Sequence, residues 1–435
     1  MLTLLFLLIL GTASGEVLRL EEFLKATLEG NRQLKALRED LLTVRKEAEA
    51  TSRDLFPSLV LEERFLRTDV PAQVLFVKLN QERVSPSDLN PVALNDPDPV
   101  SSFETNLRLE IPIWLGGRLR SAKRIAFQKV RIQEIAYRKA EEEILLRAYT
   151  AFVEASFLKE VVGVAEKNLE EAREHLRIAE VRHKTGTALL SDVLRAKVAV
   201  AKAEERLDEA RKNYETLKET LSLIAGRDYS SYDPEPLGSC PPLPEDLPSK
   251  AVVNSRDLMI EEERLKMVQA RRSMRMSSVL PSVTAFASYS LYDRDTPFGA
   301  DGGGYSFGIS LTLRVNLGLA TLERVRSEDH RRKAIMRRID HLRESVRLES
   351  RKAVRDYMLS LKLMSSARRR LEEAEETVRL IRLRYRNGLA RMVDLIDAQT
   401  QLENARIEYL EALKRCHVSY ARALFIAGMI REVVR

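Results

Sequence analysis

Asp394 and Asp397 stand one helical turn apart, so an α-helix through them would carry both carboxylates on one face. Repeated around a narrow pore by symmetry, such a pair makes an acidic ring that favours cations and resists full ionisation through like-charge repulsion. A second reading applies to Asp394 alone. Near a helix N-terminus its carboxylate can cap free backbone N–H groups, and the spacing leaves both readings open. Other reactive constellations are missing from the chain. The five histidines (His175, His183, His330, His341 and His417) show no metal-ligand spacing, and no cysteine pair compensates. Gly302-Gly303-Gly304 follows a loop and does not open a helix, so it is no phosphate cradle. We therefore expect no catalytic residues, no metal, no cofactor and no enzyme.

The net charge of +7 could suggest a nucleic-acid partner. Lys and Arg are instead interspersed with Glu, as from Arg368 to Glu376, which describes a solvated, ion-paired helix face and no nucleic-acid site. Such networks also suit a heat-adapted protein. Cys240 and Cys416 are the only cysteines, too few for a disulfide scaffold, and their pairing is left open by spacing.

The elements that would position the aspartates are written twice. Leu169-Glu170-Glu171-Ala172 recurs as Leu371-Glu372-Glu373-Ala374, and the copies run on without gaps: Arg182 on Arg384, Gly186 on Gly388, Asp192 on Asp394, and Ile224-Ala225-Gly226 on Ile426-Ala427-Gly428. Each copy must be one supersecondary unit. The expected division is a secretory signal at 1–15, a first repeat at 16–226, a proline-rich linker at 227–248, a second repeat at 249–430 and a tail at 431–435. The signal rests on the apolar run Leu2–Leu10 followed by small residues; the run is too short to span a bilayer.

Each copy opens with a helix, at about 17–53 and 249–278. Two segments of period-two alternation follow in each, at about 57–66 and 103–113, then 281–292 and 305–317. Phe103, Leu107, Leu109, Ile111 and Ile113 alternate with polar residues in the second; Tyr305, Phe307, Ile309 and Leu311 do so in the fourth. Strands of this length with one apolar face suit a membrane β-barrel. The insertion between the first two, Pro- and Asp-rich, is expected to be an exposed loop at a barrel mouth. A very long helix then spans about 118–186 and 319–386, stopped by glycine turns at Gly186 and Gly388. Returning helices follow at about 189–226 and 391–430. Their lengths allow 189–226 to stack end to end with 249–278, and 391–430 with 17–53, each stack lining one long helix.

Four strands cannot close a barrel, and open edges are not tolerated in lipid. Three copies supply twelve strands. The expected fold is mainly α with a transmembrane β-barrel portion: a homotrimer with a 12-stranded barrel, four strands per chain, on a long α-helical barrel.

The chain resembles the TolC-like outer-membrane channels of tripartite efflux and type I secretion systems over essentially its whole mature length. Tyr385-Arg386-Asn387-Gly388 followed by Val393-Asp394-Leu395-Ile396-Asp397 resembles the family's periplasmic tip. Gly186 followed by Ser191-Asp192-Val193 resembles the first-repeat tip, and Ile113-Trp114-Leu115-Gly116-Gly117-Arg118 the strand-to-helix junction. The resemblance implies a passive exit channel in the cell outer membrane with a long periplasmic portion, exposed to outer-membrane lipid. It implies a selectivity ring at Asp394 and Asp397, tip-gate contacts at Asp192, Tyr385 and Arg391, and docking of a periplasmic adaptor (membrane fusion) protein at the turns holding Gly186, Thr187, Gly388 and Leu389. An inner-membrane pump would be engaged through the adaptor or at the tip. Three departures stand out: Arg32 follows Asn31 where a proline is frequent, Ala390 occupies a position that is arginine in well-known members, and no cysteine offers a lipid anchor. The alternative is a soluble coiled-coil scaffold or tethering protein, with the β segments as a small sheet.

Overall fold

A computed structural model describes residues 16–314 and 317–434; the expected signal at 1–15, and Val315 and Asn316 of the expected fourth strand, lie outside them. In chain order the elements are β1 (Glu16–Leu18), α1 (Leu20–Gly30), α2 (Arg32–Arg53), β2 (Ser58–Thr68), α3 (Pro71–Asn80), α4 (Pro91–Asn95) and β3 (Val100–Leu115). Then come α5 (Arg118–Lys184), α6 (Leu190–Ala225), β4 (Tyr232–Pro234), α7 (Leu247–Asn254), α8 (Arg256–Met276), β5 (Ser282–Asp293), β6 (Gly302–Thr312), α9 (Ala320–Arg386) and α10 (Met392–Ile426). Helices α5 and α9 each run 67 residues. Neither contains proline, and Glu–Arg pairs three residues apart, such as Glu344–Arg347 at 2.7 Å, line their exposed faces. The contacts divide the chain into two units.

The first unit comprises the described residues up to Asp40, Glu134–Ile260 and from Ile339 onward. Its core gathers Phe23, Leu24, Tyr149, Phe152, Leu221, Leu247, Leu424 and Ile430, all nearly inaccessible to solvent. The residues beyond α10 turn back into this core through Ile430.

The opening helix of each copy is broken. At Asn31 a ψ of 121° leaves the helical region. Its side-chain oxygen accepts from Leu34 N at 3.0 Å, capping α2, while its amide donates to Ile224 O at 2.7 Å. That carbonyl belongs to the last turn of α6, where acceptors have no helical partner. In the second copy, Asn254 donates to Ala427 O at 3.1 Å just beyond α10, and Ser255 caps α8 at Leu258 N. The end of α6 thus abuts the start of α2, and the end of α10 abuts that of α8. This overturns the stacking inferred from lengths, because cap hydrogen bonds, which length cannot reveal, choose the partner within each copy. The joint needs glycine: a Cβ on Gly30 would fall 2.1 Å from Ala225 O, and Gly226 closes α6 at φ +68°.

The proline-rich linker is pinned residue by residue. Asp233 accepts from Tyr214 Oη at 2.7 Å, Glu235 O from Ser156 Oγ at 2.8 Å and Pro241 O from Tyr357 Oη at 2.6 Å. Cys240 forms a disulfide with Cys416 of α10, with Cα atoms 6.1 Å apart, which settles the pairing left open above.

The second unit comprises Leu41–Gln133 and Glu261–Arg338. Its centre is an antiparallel sheet in the order β2-β3-β5-β6. One face carries the rows Leu59-Leu109-Ala287-Phe307 and Leu61-Leu107-Tyr289-Tyr305; the other carries Glu62-Asn106-Ser290-Gly304 and Arg64-Glu104-Tyr292-Gly302. On the apolar face, Leu59, Leu61, Tyr305, Phe307 and Ile309 are exposed. On the polar face, Arg64 pairs with Glu62 at 3.1 Å. The fourth strand ends at Thr312.

The insertion between β2 and β3 is not the simple exposed loop expected. Its residues form α3 and α4, and Val74 and Val77 bury against Val100 of β3. Pro71 and Pro91 open helices and Asp88 accepts from Ser85 N at 2.8 Å, whereas Asp96-Pro97-Asp98-Pro99 lie outside any helix, as their composition suggested.

Candidate functional site

The two glycine turns lie in the first unit and are built alike. Thr187 N donates to Arg182 O at 2.8 Å and Gly186 N to His183 O at 3.0 Å, with Gly186 at φ +72°. In the second copy Leu389 N donates to Arg384 O at 2.8 Å and Gly388 N to Tyr385 O at 3.1 Å, with Gly388 at φ +77°. These are paired helix-end bonds that require a left-handed residue, which glycine adopts without a Cβ clash. Thr187 and Leu389 are exposed at the turns.

Each returning helix starts on its aspartate. Asp192 accepts from Leu189 N at 3.4 Å. Asp394 accepts from Arg391 N at 2.9 Å and also from the Arg391 guanidinium at 3.1 Å. The Arg391 side chain, then its backbone N–H, hold the Asp394 carboxyl below the usual carboxylate range. Both groups are exposed, so solvent screens much of this pairing. Asp394 is thus engaged in the cap, with Arg391 as its partner. Asp397 is exposed one turn on and lines a cleft of about 510 Å³ with Arg195, His175 and Glu403.

Tyr385 is buried among Ala179, Val193, Ala196, Met392 and Leu395. The Arg182 guanidinium lies 4.5 Å from its ring centroid, a cation–π contact that joins α5 to α9. Arg182 also donates to Tyr385 O at 3.4 Å. The sequence reading passed over Arg182 as a functional residue, although the repeat alignment marks it.

A polar network behind the turns was also missed. Glu171 accepts from Arg382 of α9 at 3.3 Å and from Gln399 of α10 at 3.2 Å. Glu403, nearly buried, accepts from Arg206 of α6 at 2.5 Å and Asn168 of α5 at 2.7 Å. Burial raises its carboxyl pKa against the pull of Arg206. His175 sits between these pairs, with both ring nitrogens buried and unpartnered, and burial lowers its pKa. The arrangement joins two helical hairpins by packed and charged contacts near their ends. Among the described residues no group of His, Cys, Asp and Glu is placed to hold a metal.

Comparison with known proteins agrees with this geometry. The sequence profile of the outer membrane efflux protein family matches residues 23–227 and 247–428. The pyoverdine export outer membrane protein OpmQ of Pseudomonas aeruginosa is 25% identical over 349 residues, covering 76% of this chain and 72% of its own. The outer membrane efflux protein BepC of Brucella suis is 20% identical over 321 residues, covering 72% of this chain and 70% of its own. Among solved structures, the open-state MtrE outer membrane channel of Neisseria gonorrhoeae superposes with a TM-score of 0.79 at 19% identity, over 96% of this chain and 91% of that one. The outer membrane protein VceC of Vibrio cholerae gives 0.76 at 15% identity, over 94% and 96%. With both copies of the repeat matched, this chain belongs to the outer membrane efflux protein family, and it is an outer-membrane exit channel for efflux with a periplasmic portion.

Proposed function

We propose that three copies of the chain close one 12-stranded barrel and form a passive duct, gated where the helical hairpins turn and docked there by a periplasmic adaptor. The observation that carries this reading is the sheet of the second unit. Its apolar face is exposed, and among the described residues β2 and β6 each pair on one side only. An open edge cannot stand in lipid, so further copies must supply the missing partners. Outer-membrane fractions should contain detergent-resistant trimers that conduct in planar bilayers. A monomer in the soluble fraction would defeat the proposal.

At the tips, Asp394 and Asp397 form the selectivity ring, while Asp192, Tyr385 and Arg391 hold the end closed. Burial of Tyr385 between the hairpins supports its share in the lock, since it packs only while they stay together. The in-chain pairing of Arg391 with Asp394 supports a cap that also fixes where the ring carboxylate points. Asp394→Asn with Asp397→Asn should weaken block by multivalent cations, and unchanged block would exclude the ring. The exposed, twin-built turns at Gly186, Thr187, Gly388 and Leu389 offer the adaptor six similar notches per trimer. The inner-membrane pump is reached through that adaptor or at the tip, and supplies the energy.

A further inference from the structure

A two-residue turn would suffice to join β2 to β3, yet residues 69–99 fold into helices there. The sheet register shows which side they cover. Val100, packed against Val74 and Val77, and Gly302, where an added Cβ would meet Asn80 O, both belong to the rows of the polar face, at the hairpin end of the sheet. Helix α3 therefore lies over the polar face. It is held firmly: Gln81, almost fully buried, donates to Ser101 O at 3.1 Å and Asp293 O at 3.2 Å. Asn80 O approaches so near β6 that a Cβ on Gly302 would fall 2.2 Å from it. Phe76 and Leu79 nevertheless remain 62% and 48% exposed.

These two side chains cannot be lipid anchors, because the exposed apolar belt of the sheet is on its other face. In a closed barrel the polar face is the lumen. We propose that α3 is an outer gate: in the assembled channel Phe76 and Leu79 of each copy pack against those of its neighbours and form an apolar constriction at the outer mouth. The inference rests on the closed barrel proposed above. A second copy is the fitting occupant because α3 is seated on Gly302 of β6, the edge strand that must pair with the next copy. Only Val74 and Val77 of α3 are buried, so its apolar packing is slight and the Gln81 hydrogen bonds are what opening must break.

Oxidation of a Phe76→Cys channel should link two chains on a non-reducing gel, whereas Phe307→Cys, on the apolar face, should not. A bulky, membrane-impermeant maleimide applied to intact cells reads the gate separately, through Ser306→Cys on the polar face. Adding Phe76→Ser and Leu79→Ser should speed that labelling about tenfold, as expected when a hydrophobic constriction is made wettable. If trimers form but Phe76→Cys does not cross-link, or labelling keeps its rate, the gate is overturned and the barrel stands. If no trimer reaches the outer membrane, both fall.

Discussion

The Cys240–Cys416 disulfide closes a loop with a sequence separation of 176 residues, and its removal should be felt mainly in the unfolded chain. By loop-closure entropy a cross-link of that span is worth about 5 kcal/mol. The folded linker keeps its other attachments, at Asp233, Glu235 and Pro241, so native structure should survive without the bond. Unfolding entropy of about 2.1 cal/mol/K per residue, over roughly 250 residues of the first unit, converts the loss to about 10 °C in the melting midpoint. The assay is thermal melting of the detergent-solubilised protein in three forms: oxidised, reduced, and Cys240→Ala/Cys416→Ala. Alanine is preferred to serine because Cys416 is fully buried and a hydroxyl there would lack a partner. Reduced and substituted forms should melt together, below the oxidised form, while conducting normally at room temperature. A drop of less than about 2 °C in both would refute the assignment of the stabilisation to chain entropy.

His175 should make the hairpin contact pH-sensitive. Burial lowers its pKa from 6.5, so the folded state binds fewer protons than the unfolded one, and stability is lost as pH falls below 6.5. Protection factors at residues 170–180, corrected for the intrinsic slowing of exchange in acid, should hold steady above pH 6.5 and fall below it, and His175→Leu should flatten that change. The readout must be local, because His417 is shifted in the same direction. Gly226→Ala should destabilise the joint between α6 and α2 by about 1–2 kcal/mol from the left-handed backbone alone. Its methyl would also meet Gly30 O at 2.5 Å, whereas Gly238→Ala meets nothing within 4 Å and should leave the melt unchanged.

Much of the architecture was legible because it follows from local rules. Glycines at Gly186 and Gly388 mark left-handed helix ends whatever surrounds them. Alternation along 305–311 marks a two-faced strand, since side chains in a strand point to opposite sides in turn. Asp394 shows where local reasoning stops. Its spacing allowed a ring or a cap, and the backbone geometry at Arg391 shows the cap made. His175, Glu171 and Glu403 gave no signal, because their partners Arg382, Gln399 and Arg206 come from other helices. The insertion misled for a related reason: Pro and Asp open and cap helices as readily as they mark loops.

Periodicity, glycine punctuation and internal repetition are properties of neighbouring residues, and the sequence by itself determined the helices, the strands and their duplication through them. Choices among partners of equal length belonged to the tertiary structure. Asn31 could have met either returning helix, and the hydrogen bond to Ile224 O selects α6. Cys240 found Cys416 because the linker is laid across α10. Helix α3 settled on the polar face because Gln81 and Gly302 fit there. Each choice depends on backbone groups brought together from distant parts of the chain, and no spacing along the chain encodes that meeting.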